Sequence, residues 1–193
     1  MNLMHAPRFL TREDAEDPLM NSVLIPVMQD IFNNGIVLVC SAGNGGNFRV
    51  PHDVKERAPA GLARAKAPGK TSFPDELIVV GSVDNNGQRS VFTNRDSLGL
   101  INHFMYGEDV VAADFQTDDG WTRASGTSEA TALTAGLVAQ MLGKLPPTTN
   151  PQAVPALIKT MLRNTARRTA PGGPLVGNNG VLVPFEGSLC LVN

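Results

Sequence analysis

Ala124-Ser125-Gly126-Thr127-Ser128-Glu129-Ala130-Thr131-Ala132-Leu133-Thr134-Ala135-Gly136-Leu137-Val138-Ala139 is a loop that runs into a helix. Small and hydroxyl residues come first. A long run of helix formers without Pro follows and stops near Gly143. Ser128 falls at or beside the helix N-terminus, where unpaired N–H groups and the positive end of the dipole favour negative charge. A serine oxygen there serves either as an N-cap or as a nucleophile whose developing oxyanion those amides hold. On local physics the cap is the simpler of the two.

A second stretch bears on that choice. Gly35-Ile36-Val37-Leu38-Val39-Cys40-Ser41-Ala42-Gly43-Asn44-Gly45-Gly46 reads as a buried strand that ends in small residues and an Asn. An apolar, β-branched run suits a parallel sheet covered on both faces. In open α/β sheets the chemistry lies beyond the carboxyl ends of the strands, where Asn44 falls. Asn44 also reads as a plain turn residue between glycines.

Taken together, the two stretches resemble the subtilisin-like serine proteases (subtilases). Gly126-Thr127-Ser128-Glu129-Ala130 followed by Ala135-Gly136 is similar to the family's nucleophile motif, and Ser41-Ala42-Gly43-Asn44 to its oxyanion-hole motif. A third piece agrees: Ser72-Phe73-Pro74, then Leu77 to Asp84, then Ser90-Val91-Phe92-Thr93-Asn94. It resembles the family's aromatic-Pro turn, next strand and Ser/Phe-rich loop, and the three pieces stand in the family's order. The resemblance covers roughly Asn2 to Leu142. It implies an α/β, three-layer fold with a partial parallel sheet flanked by helices. It further implies peptide-bond hydrolysis through an acyl-enzyme on Ser128, with Asn44 in the oxyanion hole. Ser41, Ala42, Gly43 and Phe73 would contact substrate, and the Phe73–Pro74 bond would be cis.

The family's other two catalytic residues are an Asp in an Asp-Ser/Thr-Gly context and a His in a His-Gly-Thr context. Neither context occurs here. His5, His52 and His103 are followed by Ala6, Asp53 and Phe104, and Asp118-Asp119-Gly120 only echoes the Asp motif. By resemblance, residues 1–193 form the C-terminal part of a peptidase domain, and the missing N-terminal half would be a partner. There are further departures. Ala132 stands where the family usually has Pro, Leu133 replaces an often polar residue, and Glu129 directly follows the serine. A carboxylate suits the helix start but opposes an oxyanion if it points inward. A non-catalytic pseudoprotease, or a module that binds a peptide or partner, is therefore the alternative function.

Bulk numbers narrow the remaining classes. The 193 residues suffice for one core. With 18% charged residues, 5% aromatic and a net charge of −2, no nucleic-acid or membrane surface is implied. The chain has no apolar run of membrane-spanning length and no signal peptide, so localisation stays open. Cys40 and Cys190 fit no metal-ligand spacing, so neither metal nor cofactor is expected. Cys40 reads as a small core residue, with pairing to Cys190 the other option.

Along the chain, residues 1–4 read as a strand tail and 5–18 as a polar, acidic loop. Leu19 to Asn34 is a helix by its apolar spacing at Leu19, Met20, Val23, Leu24, Val27, Met28, Ile31 and Phe32. Pro26 would kink it or delay its start. Strand 36–41 follows. Gly46 to Lys70 shows no period and reads as a long surface loop. Its basic residues would meet acidic substrate residues or simply be solvated. Strand 76–83 ends in the turn Asp84-Asn85-Asn86-Gly87. Val110–Ala113 is a short strand, with a turn at 116–120 before Trp121. Asn150 to Arg168 is a second helix with Val154, Leu157, Ile158, Met161 and Leu162 on one face. Residues 171–193 form an irregular tail or an edge hairpin.

Overall fold

The structure is a computed structural model that describes residues 18–63, 76–168 and 175–176. The expectations for residues 1–17, for Phe73 and its bond to Pro74, for Cys190 and for 177–193 lie outside these residues. Helix α1 (Pro18–Asn33) runs through Pro26 and begins at Pro18, so its start is not delayed. Gly35 ends it in the left-handed region, at φ +75. The Ile36 N–H donates to the Ile31 carbonyl at 3.1 Å and the Gly35 N–H to that of Phe32 at 2.9 Å. That pair of bonds is the Schellman closure that a C′ glycine permits.

Strands β1 (Val39–Ser41), β2 (Ile78–Val83) and β3 (His103–Tyr106) pair in parallel. A hairpin of β4 (Val110–Ala113) and β5 (Trp121–Ala124) stands apart from them. Helices α2 (Thr127–Leu142) and α3 (Val154–Thr165) follow, then β6 (Arg167–Arg168) and β7 (Leu175–Val176). The main sheet has the order β1-β2-β3-β7-β6, with β7 parallel to β3 and antiparallel to β6.

Every residue of β2 is buried, and its side chains alternate between two cores. Ile78 and Val80 join Met105, Leu137, Val138, Met141, Ile158 and Leu162 under α2 and α3. Leu77 and Val79 join Met28, Phe32, Val54, Leu62 and Leu100 on the α1 side. Helices, sheet and helix-plus-loop thus make three layers, the α/β arrangement that the resemblance implied.

Five details differ from the sequence reading. The 36–41 strand is in the ladder only from Val39. The second helix runs only from Val154 to Thr165 after a 3-10 turn at Pro151–Ala153, Leu157 of its expected apolar face is exposed, and Arg167–Arg168 is a strand. β3 was not foreseen. Val23 and Val27, expected on the buried face of α1, are exposed, because Leu24, Met28 and Phe32 at four-residue spacing face the sheet instead. The stretch after Gly46 is not a surface loop through residues 53–62. Asp53 closes a capping box with Glu56, and Val54, Ala60 and Leu62 are buried as a wall of the second core. Two turns of 3-10 helix at Val54–Glu56 and Ala60–Leu62 are too short to show a period. Cys40 is a free thiol whose burial pushes its pKa up to about 12, so it packs rather than reacts.

Candidate active site

β1 delivers the chain to Gly43, whose φ of +95 is a left-handed conformation that side chains resist. The space a Cβ would need there is taken by the Asn94 carboxamide. Asn44 comes next, and its side chain crosses to the start of α2. Its Oδ1 accepts from the Thr127 N–H at 2.8 Å and from the Thr127 hydroxyl at 2.7 Å. The same hydroxyl oxygen accepts from the Gly43 N–H at 3.1 Å. A residue 83 positions away in the chain therefore caps the helix. With its oxygen held by Thr127, Asn44 has its Nδ2 donors turned elsewhere. Nδ2 lies 2.8 Å from the point where a Gly126 Cβ would stand.

Gly126 is the N-cap residue, so Ser128 is not the cap. Ser128 is the second helical residue, exposed, and its side chain forms no hydrogen bond among the described residues. The structure thus brings Asn44 against the residue that precedes Ser128. Glu129 turns back toward the same place: its Oε2 lies 2.6 Å from the Gly126 Cβ point.

No described histidine is hydrogen-bonded to Ser128. His103 is buried in β3, and burial lowers its pKa to about 4. His52 lies closer to the Asn44 turn. Its Nδ1 meets the Arg57 guanidinium, and its ring stands edge-on to Phe48 at 5.1 Å. Asp118 and Asp119 sit in the β4–β5 turn region, away from both strands' pairing.

A cavity of about 450 Å³ opens beside Asn44. The Ser41–Gly45 turn forms one wall, so Ser41, Ala42 and Gly43 line it. Phe48, His52, Arg57 and Asn94 form much of the rest. Asn94 holds the turn from below: its N–H donates to the Gly43 carbonyl at 2.9 Å and its Oδ1 accepts from the Gly45 N–H at 2.7 Å. Thr127, Asn94 and Arg57 had no individual role in the sequence reading. Thr127 and Asn94 lay within quoted motifs, so a signal existed. Arg57 was one of several scattered basic residues of the stretch after Gly46, expected to meet acidic substrate residues or to be solvated.

The family model described as the subtilase family matches residues 13–181. Proprotein convertase subtilisin/kexin type 9 of Rattus norvegicus is 31% identical over 124 residues, which are 64% of this chain and 16% of that protein. Subtilisin-like protease 2 of Pseudogymnoascus destructans is 30% identical over 123 residues, 64% of this chain and 26% of that one. The crystal structure of a cold adapted subtilisin-like serine proteinase superposes with a TM-score of 0.59 at 23% identity, covering 81% of this chain and 48% of that chain. Prenylagaramide maturation protease PagA gives 0.52 at 22%, covering 77% and 47%. The chain therefore spans about half of these solved chains and about a quarter or less of the two curated relatives.

Proposed function

The chain belongs to the subtilase family, and we propose that it carries the nucleophile and the oxyanion hole of a serine endopeptidase. Ser128 Oγ attacks the peptide carbonyl and loses its proton to a base. The carbonyl oxygen becomes an oxyanion held by Asn44 Nδ2–H and the Ser128 N–H. Collapse breaks the C–N bond, the amine leaves with the proton that the same base returns to it, and an acyl-enzyme remains on Ser128. The observation that carries this reading is the Asn44–Thr127 link, which spends the carboxamide oxygen on the helix start and leaves the donor end for a ligand. The substrate is a peptide or protein segment, and its side chain next to the attacked carbonyl enters the cavity lined by Ser41, Ala42 and Gly43.

The alternative, a scaffold that binds a peptide without cutting it, draws on two observations. No described histidine bonds Ser128, and the Glu129 carboxylate crowds Gly126 together with the Asn44 donor, where it opposes negative charge. A peptidyl boronic acid separates the readings, because its boron becomes tetrahedral only when a serine oxygen adds to it. Boron NMR should show tetrahedral boron on the chain, lost in Ser128→Ala and weakened about tenfold or more in Asn44→Ala. Bound but trigonal boron would favour the binding scaffold. No binding at all would overturn both.

A further inference from the structure

We infer that Asn94 is the positioning residue of the oxyanion donor, an inference that rests on the reading of Asn44 Nδ2 as that donor. Gly43-Asn44-Gly45-Gly46 sets Asn44 among three glycines, the residues that restrain a backbone least. The direction of the Asn44 amide therefore has to be imposed from outside the turn. Thr127 holds the carboxamide oxygen, its N–H at 2.8 Å and its hydroxyl at 2.7 Å. Asn94 holds the backbone on both sides of Asn44. Its N–H donates to the Gly43 carbonyl at 2.9 Å, and its Oδ1 accepts from the Gly45 N–H at 2.7 Å. Its carboxamide also fills the place that a Cβ on Gly43 would take.

A clamp positions only as well as it is itself held. Asn94 is 1% exposed, and its carbonyl accepts from the Arg89 guanidinium. The hydroxyl of the preceding Thr93 accepts from the Ser82 N–H at 3.2 Å and donates to the Ser82 carbonyl at 3.3 Å. Ser82 lies in β2, every residue of which is buried. The Phe92 carbonyl accepts from the Gly46 N–H at 2.8 Å. Residues 92–94 thus tie the turn to the sheet at Gly43, Gly45 and Gly46 and act through Asn44. An oxyanion donor works at about 2.7–3.1 Å, and a displacement of about 1 Å costs on the order of 10²-fold. Losing the Asn94 carboxamide releases the Gly45 side of the turn, so the donor shifts although Asn44 itself is intact.

The test uses the full chain and two ligands of one peptide sequence, one ending in a boronic acid and the other in a carboxamide. Only the first forms a tetrahedral centre with an oxyanion-like oxygen. Asn94→Ala should weaken the boronic acid about tenfold or more and leave the carboxamide ligand within about twofold. Asn94→Asp, which keeps an acceptor for the Gly45 N–H, should recover part of the loss. In an Asn44→Ala background, Asn94→Ala should cost less than about twofold, because the donor that it positions is gone. The NMR signals of the Asn44 side-chain amide should move in Asn94→Ala and return toward their wild-type positions in Asn94→Asp. Thermal melts show which variants are folded. If Asn94→Ala is not, Asn94→Ser, whose hydroxyl falls a bond short of Gly45, takes its place. Equal weakening of both ligands, an undiminished loss in the Asn44→Ala background, or Asn44 amide signals that stay in place would overturn the positioning role and leave the oxyanion reading standing. A wild-type chain that forms no tetrahedral boron would overturn the oxyanion reading, and this inference with it.

Discussion

His103 sits 2% exposed in β3 with its Nε2 unpartnered among the described residues. Burial penalises the imidazolium, so the folded pKa of about 4 lies below the ordinary 6.5. The sign of the consequence follows from proton counting. Above pH 6.5 both states are neutral and the fold keeps its full stability. As pH falls from 6.5 toward 4, the unfolded chain takes up a proton that the folded chain refuses, and stability drops. Below about pH 4 both are protonated and the loss levels off near 3 kcal/mol. Chemical denaturation of the wild type and of His103→Met across this range should show a steeper decline in the wild type by that amount. Equal slopes would mean that His103 is not held neutral. Nothing in the sequence marked this residue, because a His in His-Phe-Met-Tyr says neither strand nor burial until its neighbours are known.

Helix α2 owes its beginning to another part of the chain. Gly126 offers no side chain to its first turn, and the Asn44 carboxamide does that work instead. Thr127→Val keeps the shape but removes the hydroxyl that bonds Asn44 and accepts from the Gly43 N–H. It should cost about 1–3 kcal/mol in denaturant melts, since Gly43 and Asn44 lose buried partners together. Thr127→Ser should recover most of it, and a Val variant as stable as wild type would show the link to be idle. The helix itself was legible from its run of helix formers, and β2 from its apolar residues. What was not legible is what depends on contact between distant segments. β3 is a strand because β2 and β7 flank it. Residues 53–62 are core because Leu77 and Leu100 lie against them. The direction of the Asn44 amide was equally hidden, while the residue itself stood out at the end of its strand.

For the whole molecule, the three-layer order was readable once three motifs stood in sequence, whereas which surfaces are covered was not. Val23 and Val27, one helical turn apart, are 56% and 50% exposed on the outer side of α1. Strand β1 has β2 as its single partner among the described residues, and no described strand pairs with its other edge. Apolar surface together with such an edge favours association. Size-exclusion chromatography over a range of concentrations should show the chain eluting larger than a monomer. A double change of Val23→Glu and Val27→Lys should shift it toward monomer. A wild-type monomer at every concentration would sink this expectation.

The bond between Asn44 and Thr127 also has a meaning in time. The two residues leave the ribosome 83 positions apart, an interval of roughly 4 to 17 seconds at about 5–20 residues per second. During that interval the Asn44 turn exists without the helix that orients its carboxamide. A nascent or truncated chain that ends before residue 127 therefore lacks the contact that fixes the Asn44 amide, however well its first strands have formed.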